Sequence, residues 1–367
     1  FLRFFNSDTS VKKSKKLLIT FSAVVFFFLL AFGSFTYYWD TATPQTTCAS
    51  CHEIESSSNM WAQSGHRALL CRECHGTALS NGFHSLKEKG MMVVNHFTEG
   101  ERRDIKLDEM DVLETMENCK RCHGEEYAKW TSGGHSATYA AIFLNEKHNA
   151  KEQLNSDCLR CHGMLYEGTI QELVKPLSVN GPWTLNDPGK STQPVIPCLT
   201  CHKVHREGLP AVPANPSDPK KIFYERKADL PKALFYYRYE KNHVEVADLP
   251  SPTIWDGVRK VELSDDPLQR ICLQCHSPSA FHQAGTGDDR TPRGIHEGIS
   301  CLACHDHHSN DSRESCKNCH PAISNCQLDV TKMNTTFADS KSPHNIHSMR
   351  CVDCHTKGIP KRKESRD

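Results

Sequence analysis

Apolar positions are sparse and irregularly spaced along most of the chain, and one stretch breaks that pattern. Residues 17–39 run 23 positions without a charge. At ~1.5 Å per residue this predicts a helix of roughly 34 Å, enough to cross a hydrocarbon core of about 30 Å. Lys12, Lys13, Lys15 and Lys16 precede it, and Tyr37, Tyr38 and Trp39 close it. Those flanks predict a single span with a cytoplasmic start, everything after Asp40 lying on the outer side. A cleaved signal peptide would have a shorter apolar core, of about 7 to 15 residues, and a small-residue cleavage site. The chain opens on Phe1, so a few residues are expected to precede it. Beyond the span the pattern supports only short helical turns set in irregular chain.

Composition changes the picture. Only 38% of the 367 residues are hydrophobic, a figure that includes 19 cysteines, so hydrocarbon alone makes a thin core. The cysteines are ordered. They form Cys48, Cys51 and His52 (CASCH); Cys71, Cys74 and His75 (CRECH); Cys119, Cys122 and His123 (CKRCH); Cys158, Cys161 and His162 (CLRCH); and Cys198, Cys201 and His202 (CLTCH). Four more follow: Cys272, Cys275 and His276 (CLQCH); Cys301, Cys304 and His305 (CLACH); Cys316, Cys319 and His320 (CKNCH); and Cys351, Cys354 and His355 (CVDCH). Nine such motifs use 18 of the 19 cysteines. Two thiols one helical turn apart reach the two vinyl groups of a haem, and the next residue turns its imidazole onto the iron. Zinc sites and disulfides also use paired cysteines, but neither requires His after every second Cys. Cys326 is left over and reads as a buried unpaired thiol.

Nine attached haems explain the apolar deficit, and the expected fold is mainly α with much irregular chain, organised around a haem core. An iron in an electron carrier takes a second axial ligand, usually His or Met. Of 22 histidines, 13 lie outside the motifs, enough for every iron to be bis-histidine. His66 and His296 each stand five residues before a motif Cys; His135, His148 and His347 come next, then His205 and His308, three after a proximal His. His96 and His243 stand apart from any motif and complete the candidates.

The chain divides into an anchor (1–40), a four-motif module (41–165), a stretch with the fifth motif and a haem-free insert (166–270), and a second four-motif module (271–367). The insert opens with the Pro-rich LPAVPANPSDP (209–219), an extended connection, and continues through FYYRY (235–239) as a packed segment expected to be helical in part. WAQSGH (61–66) and WTSGGH (130–135) form a weak internal repeat. Lys plus Arg and Asp plus Glu both total 44, which excludes the basic surplus that nucleic-acid binding needs. Ionised propionates, roughly two charges per haem, would make the loaded protein acidic and favour a basic partner.

The Lys-rich start, the single span, CASCH, WAQSGH, CRECH, VNHFTEG (94–100) and ETMENCKRCH (114–123) together resemble the NapC/NirT/NrfH family of membrane-anchored quinol dehydrogenases, from about Val11 to His162. The resemblance implies oxidation of a membrane quinol beside the first haem and delivery of electrons to a periplasmic or outer-side redox protein, in a membrane complex or alone. Some relatives carry Met two residues after the first motif His; Ile54 stands there, so Met60 or a histidine must serve, or that iron is five-coordinate. Lys87, Glu88 and Lys89 fall near the corresponding quinol-site charges and are candidates for proton handling, or a solvated helix face. The later five motifs resemble, in general style only, the hydroxylamine-oxidoreductase and octahaem reductase groups. Two functions follow as expectations: an electron conduit in the cytoplasmic membrane, or a reductase with a catalytic haem acting on a small nitrogen or sulfur compound.

Overall fold

The computed structural model describes residues 7–43, 46, 48–50, 52–77, 90–91, 93–94, 96–98, 108–205, 234–277, 289–309, 312, 315–320, 334–336, 339 and 341–355. Cys51, His84, Lys87, Glu88, Lys89, His282, Cys326 and the Pro-rich run 209–219 lie outside the described residues, as do the side chains of His52 and Cys354. The chain forms two compact units: 1–106 with 205–207, and 107–204 with 208–367.

In the first unit one helix, Ser7–Thr41, contains the apolar run. Its stretch Lys15–Thr41 is long and apolar enough to cross a membrane. Leu17, Phe21 and Phe28 along it are 74%, 65% and 67% exposed, which suits a helix whose apolar side chains meet lipid. A 3-10 turn His52–Ile54 leads into the helix Glu55–Gln63. The WAQSGH segment then folds back on itself: the Trp61 indole donates to the His66 carbonyl at 3.1 Å, and the Ser64 hydroxyl accepts from the His66 amide at 3.1 Å.

The second unit begins with the helix Glu109–Lys120, started by a capping box in which Asp108 accepts from the Asp111 amide and Asp111 from the Asp108 amide. Behind it lies an apolar cluster containing Tyr139, Phe143, Leu159, Ile170, Leu173 and Val195. The buried Tyr139 hydroxyl donates to Glu109, whose other oxygen accepts from Lys190. Burial, then the Glu109 charge, pushes the Tyr139 phenol well above its ordinary range, so it stays a donor. This paired carboxylate fastens the helix to the turn Pro188–Thr192.

A second cluster, Met164, Phe235, Val246, Leu249 and Leu268, joins the motif region to the insert. Within 234–266 the insert consists of two antiparallel hairpins, Leu234–Tyr237 with Asn242–Glu245 and Trp255–Asp256 with Arg259–Lys260, and a single 3-10 turn at Val246–Asp248. The helical expectation gives way here because the run pairs in register with Asn242–Glu245, with Phe235 and Tyr236 packed against the Met164 cluster while Tyr237 and Tyr239 stay exposed. From the turn of the first hairpin Arg238 reaches back over the Tyr166 ring to the carbonyls of Gly163 and Gly168, at 3.0 and 2.7 Å.

Candidate haem-binding site

Each motif needs the backbone to close one turn so that two thiols and an imidazole project together. The bond that closes the turn runs from the motif His amide to the first Cys carbonyl. It is formed by His123, His162, His202, His305, His320 and His355, at 2.8 to 3.0 Å. The motifs accordingly occupy short helices such as Cys71–His75, Cys158–Cys161, Gln269–His276, Cys316–Cys319 and Cys351–Cys354, or 3-10 turns at Cys198–Thr200 and Cys301–Ala303. A chain of this composition has few other reasons to form helices of four or five residues, which are marginal alone.

Histidines from separate parts of the chain lie opposite one another. In the first unit His75 lies opposite His205, with ring centres 5.8 Å apart. The second unit pairs His135 with His276 at 6.1 Å, His202 with His308 at 5.9 Å, His296 with His320 at 6.4 Å and His305 with His347 at 5.9 Å. Each pair combines one motif His with one from outside the motifs. Two imidazoles that clamp one iron through bonds of about 2 Å have ring centres roughly 6 Å apart, so the separations fit a bis-histidine haem. The ring planes are nearly parallel in two pairs, at 8° for His202 with His308 and 6° for His305 with His347, and nearly perpendicular at 82° for His296 with His320.

The electrostatics fit as well. Burial lowers the pKa of His305 and His320 and lowers His347 to about 4, with neighbouring imidazoles adding to the effect on His320 and His347. These rings are therefore neutral near pH 7, the form that binds metal. Two pairs show the outer contact typical of a ligating imidazole: His296 Nδ1 lies 2.9 Å from the Ile346 carbonyl, which orients Nε2 toward His320, and His347 Nδ1 lies 3.1 Å from Asn345 Oδ1. The Nε of Arg293 and Nε2 of Gln269 are buried donors without a protein acceptor, and both suit anionic propionate groups.

Thiols of different motifs also meet. Cys48 lies close to Cys71 in the first unit, and Cys161 to Cys275 and Cys272 to Cys301 in the second. Cys119 lies near Cys198, Cys201 near Cys272, and Cys304 near Cys316 and Cys319. Burial pushes the thiol of Cys198 up to about 11, consistent with a sulfur that is partly covered by apolar surface.

The remaining candidate ligands have other contacts. His96 Nδ1 lies 2.7 Å from the buried Glu53 carboxylate, next in sequence to the first motif His. His148 Nε2 lies 3.5 Å from Glu152. His243 approaches the Leu199 carbonyl through Nε2 at 2.7 Å, inside the fifth motif, and a carbonyl can only accept, so that nitrogen carries the proton. His66 is held through its backbone in the first-unit hook. Of the motif imidazoles, His123 lies 3.9 Å from Glu126. Sequence reasoning missed Gly294, Arg293, Gln269 and Arg160. Arg160, in the fourth motif, donates to the Gln274 carbonyl in the sixth. Only Gly294, two residues before a candidate ligand, carries a readable turn signal.

The family described as cytochrome c554 and c-prime matches residues 118–203, the stretch with the third, fourth and fifth motifs. No curated protein and no solved structure matches the chain. The family match supports an electron-transfer protein of the multihaem cytochrome c kind, with covalently bound haem c.

Proposed function

We propose that this multihaem cytochrome c is a membrane-anchored carrier of nine haems that takes electrons from the quinol pool and passes them to a redox protein on the outer side of the cytoplasmic membrane. The observation that carries the reading is one attachment motif repeated nine times in a chain whose imidazoles pair at iron-clamping separation. When bound, the haems supply a series of one-electron couples. The chain's own residues fix where those couples sit: each cysteine pair tethers a ring edge and each imidazole sets a potential.

The quinol assignment rests on the first unit. The apolar helix ends at Thr41 and the first motif begins at Cys48, so the chain itself keeps the first attachment site close to the end of the span. The same unit exposes Met91, Val93, Val94 and Phe97, apolar side chains suited to a membrane surface. A quinol that gives up two electrons also releases two protons, and Lys87, Glu88 and Lys89 are the candidates for accepting them. Glu53, which contacts His96, directly follows the first motif His in sequence.

Two measurements test the reading. A pyridine haemochrome assay with intact-protein mass spectrometry should return nine haems, and seven or fewer would sink it. Removing residues 1–40 should release a haem-loaded domain that dithionite still reduces but lipid-embedded quinol does not. Unchanged reduction by the embedded quinol would remove the quinol role.

A further inference from the structure

In the second unit, the histidine that faces each paired motif imidazole comes from beside a different motif. His308, opposite His202 of the fifth motif, lies three residues after the seventh motif's own His305. His347, opposite His305, lies four residues before Cys351 of the ninth motif. His296, opposite His320 of the eighth motif, lies five residues before Cys301 of the seventh. His135, opposite His276 of the sixth motif, follows the third motif's His123 by 12 residues. One segment, 296–308, thus presents imidazoles toward three different motif sites: His296 to the eighth, His305 to its own and His308 to the fifth.

We infer that residues 296–308 form the junction of the electron path in this unit, holding axial ligands to the fifth, seventh and eighth irons, and that the nearest-neighbour order runs from the fifth through the seventh to the ninth motif. The inference rests on the haem-carrier reading above and deepens it. Two further observations converge on the same segment. Cys272 of the sixth motif lies close to Cys301, and Cys304 lies near Cys316 and Cys319 of the eighth. The Cys301 amide donates at 3.2 Å to Gln269, one turn before the sixth motif. A ligand and its own motif a few residues away cannot lie far apart, since consecutive Cα atoms are about 3.8 Å apart. Each borrowed ligand therefore leashes two haem sites together. Order along the chain is not order along the path: the eighth motif becomes a branch at the seventh, the sixth touches the fourth and fifth as well as the seventh, and the ninth, last in sequence, follows the seventh directly.

The test uses the full-length protein extracted with its haems. His308→Ala, His347→Ala and His296→Ala should each keep nine haems while converting one from low-spin to high-spin, and added imidazole should restore the low-spin state. Loss of His347 or His308 should remove a rhombic low-spin signal from the EPR spectrum, the signature of parallel ligand planes. Loss of His296 should remove a strongly anisotropic one, the signature of perpendicular planes. To identify the iron, His347→Ala is placed in two backgrounds. With Cys301→Ala and Cys304→Ala it should add no high-spin haem, because the iron it serves has gone. With Cys351→Ala and Cys354→Ala it should still add one. The reverse pattern would make His347 a ligand within its own motif region and overturn the junction. If either background fails to accumulate, the EPR signatures of the single variants decide: a His347→Ala or His308→Ala protein with an unchanged low-spin spectrum refutes the inference. A haem count of seven or fewer in the parent protein would count against the carrier reading alone, leaving the pairings to the spectra.

Discussion

Gly294→Ala should separate two histidines from their partners without touching either. Residues 293–296 and 346–349 are clipped together by backbone bonds at alternate positions: the Arg293 amide to the His347 carbonyl at 2.6 Å and the Ile295 amide to the Met349 carbonyl at 2.9 Å. His296 adds a third contact through Nδ1 to the Ile346 carbonyl. Gly294 sits at the centre with φ +71°, and a Cβ there would lie 1.9 Å from the Met349 carbonyl oxygen, where real Cβ contacts essentially never fall below 3.0 Å. The left-handed backbone costs an Ala about 1–2 kcal/mol. Relieving the clash must part the two segments by more than an ångström, which breaks both backbone bonds at about 0.5–1.5 kcal/mol each. The local loss is then on the order of 2–5 kcal/mol.

Gly257→Ala is the control, because Gly257 has φ +63° with nothing within 4 Å, so the same substitution there tests backbone strain without the clash. Amide hydrogen exchange read by mass spectrometry should show faster exchange at Arg293 and Ile295 in Gly294→Ala only. Magnetic circular dichroism should show high-spin character at up to two haems, those facing His296 and His347. If Gly294→Ala behaved as Gly257→Ala in both assays, the clip would not be what positions the two imidazoles.

Two further outcomes follow from contacts away from the motifs. The Arg259 guanidinium, with the Glu262 amide, holds the Glu297 carboxyl below the usual carboxylate range. A depressed folded pKa stabilises the native state above the ordinary value of about 4.3 and loses that stabilisation as pH falls through the folded value. Arg259→Met should therefore move acid unfolding, followed by circular dichroism, to higher pH, by a small amount because Arg259 is half exposed and its charge is screened by solvent. Arg238→Ala leaves the Gly163 and Gly168 carbonyls without their charged donor and should lower stability by about 2 kcal/mol, read as a lower midpoint in denaturant; an unchanged midpoint would show that the hairpin turn does not brace the fourth-motif region.

The attachment chemistry was legible in the sequence because it is local: two thiols, one imidazole and one helical turn fit inside five residues, and no tertiary contact is needed to recognise them. The same holds for the apolar helix, which reads from length and charge alone. The insert between the fifth and sixth motifs was not legible. Its aromatic run is compatible with helix or strand until Phe235 finds the Met164 cluster and the run pairs with Asn242–Glu245 as a hairpin. Thirteen non-motif histidines supplied more ligands than irons required, and nothing in their spacing said which faces which. That was decided by packing across long separations, as with His202 and His308, 106 residues apart, and His135 and His276, 141 apart. The clip at Gly294 belongs to the same class: a glycine two residues before a histidine is ordinary in sequence, and only the carbonyl of Met349 lying against it makes it indispensable.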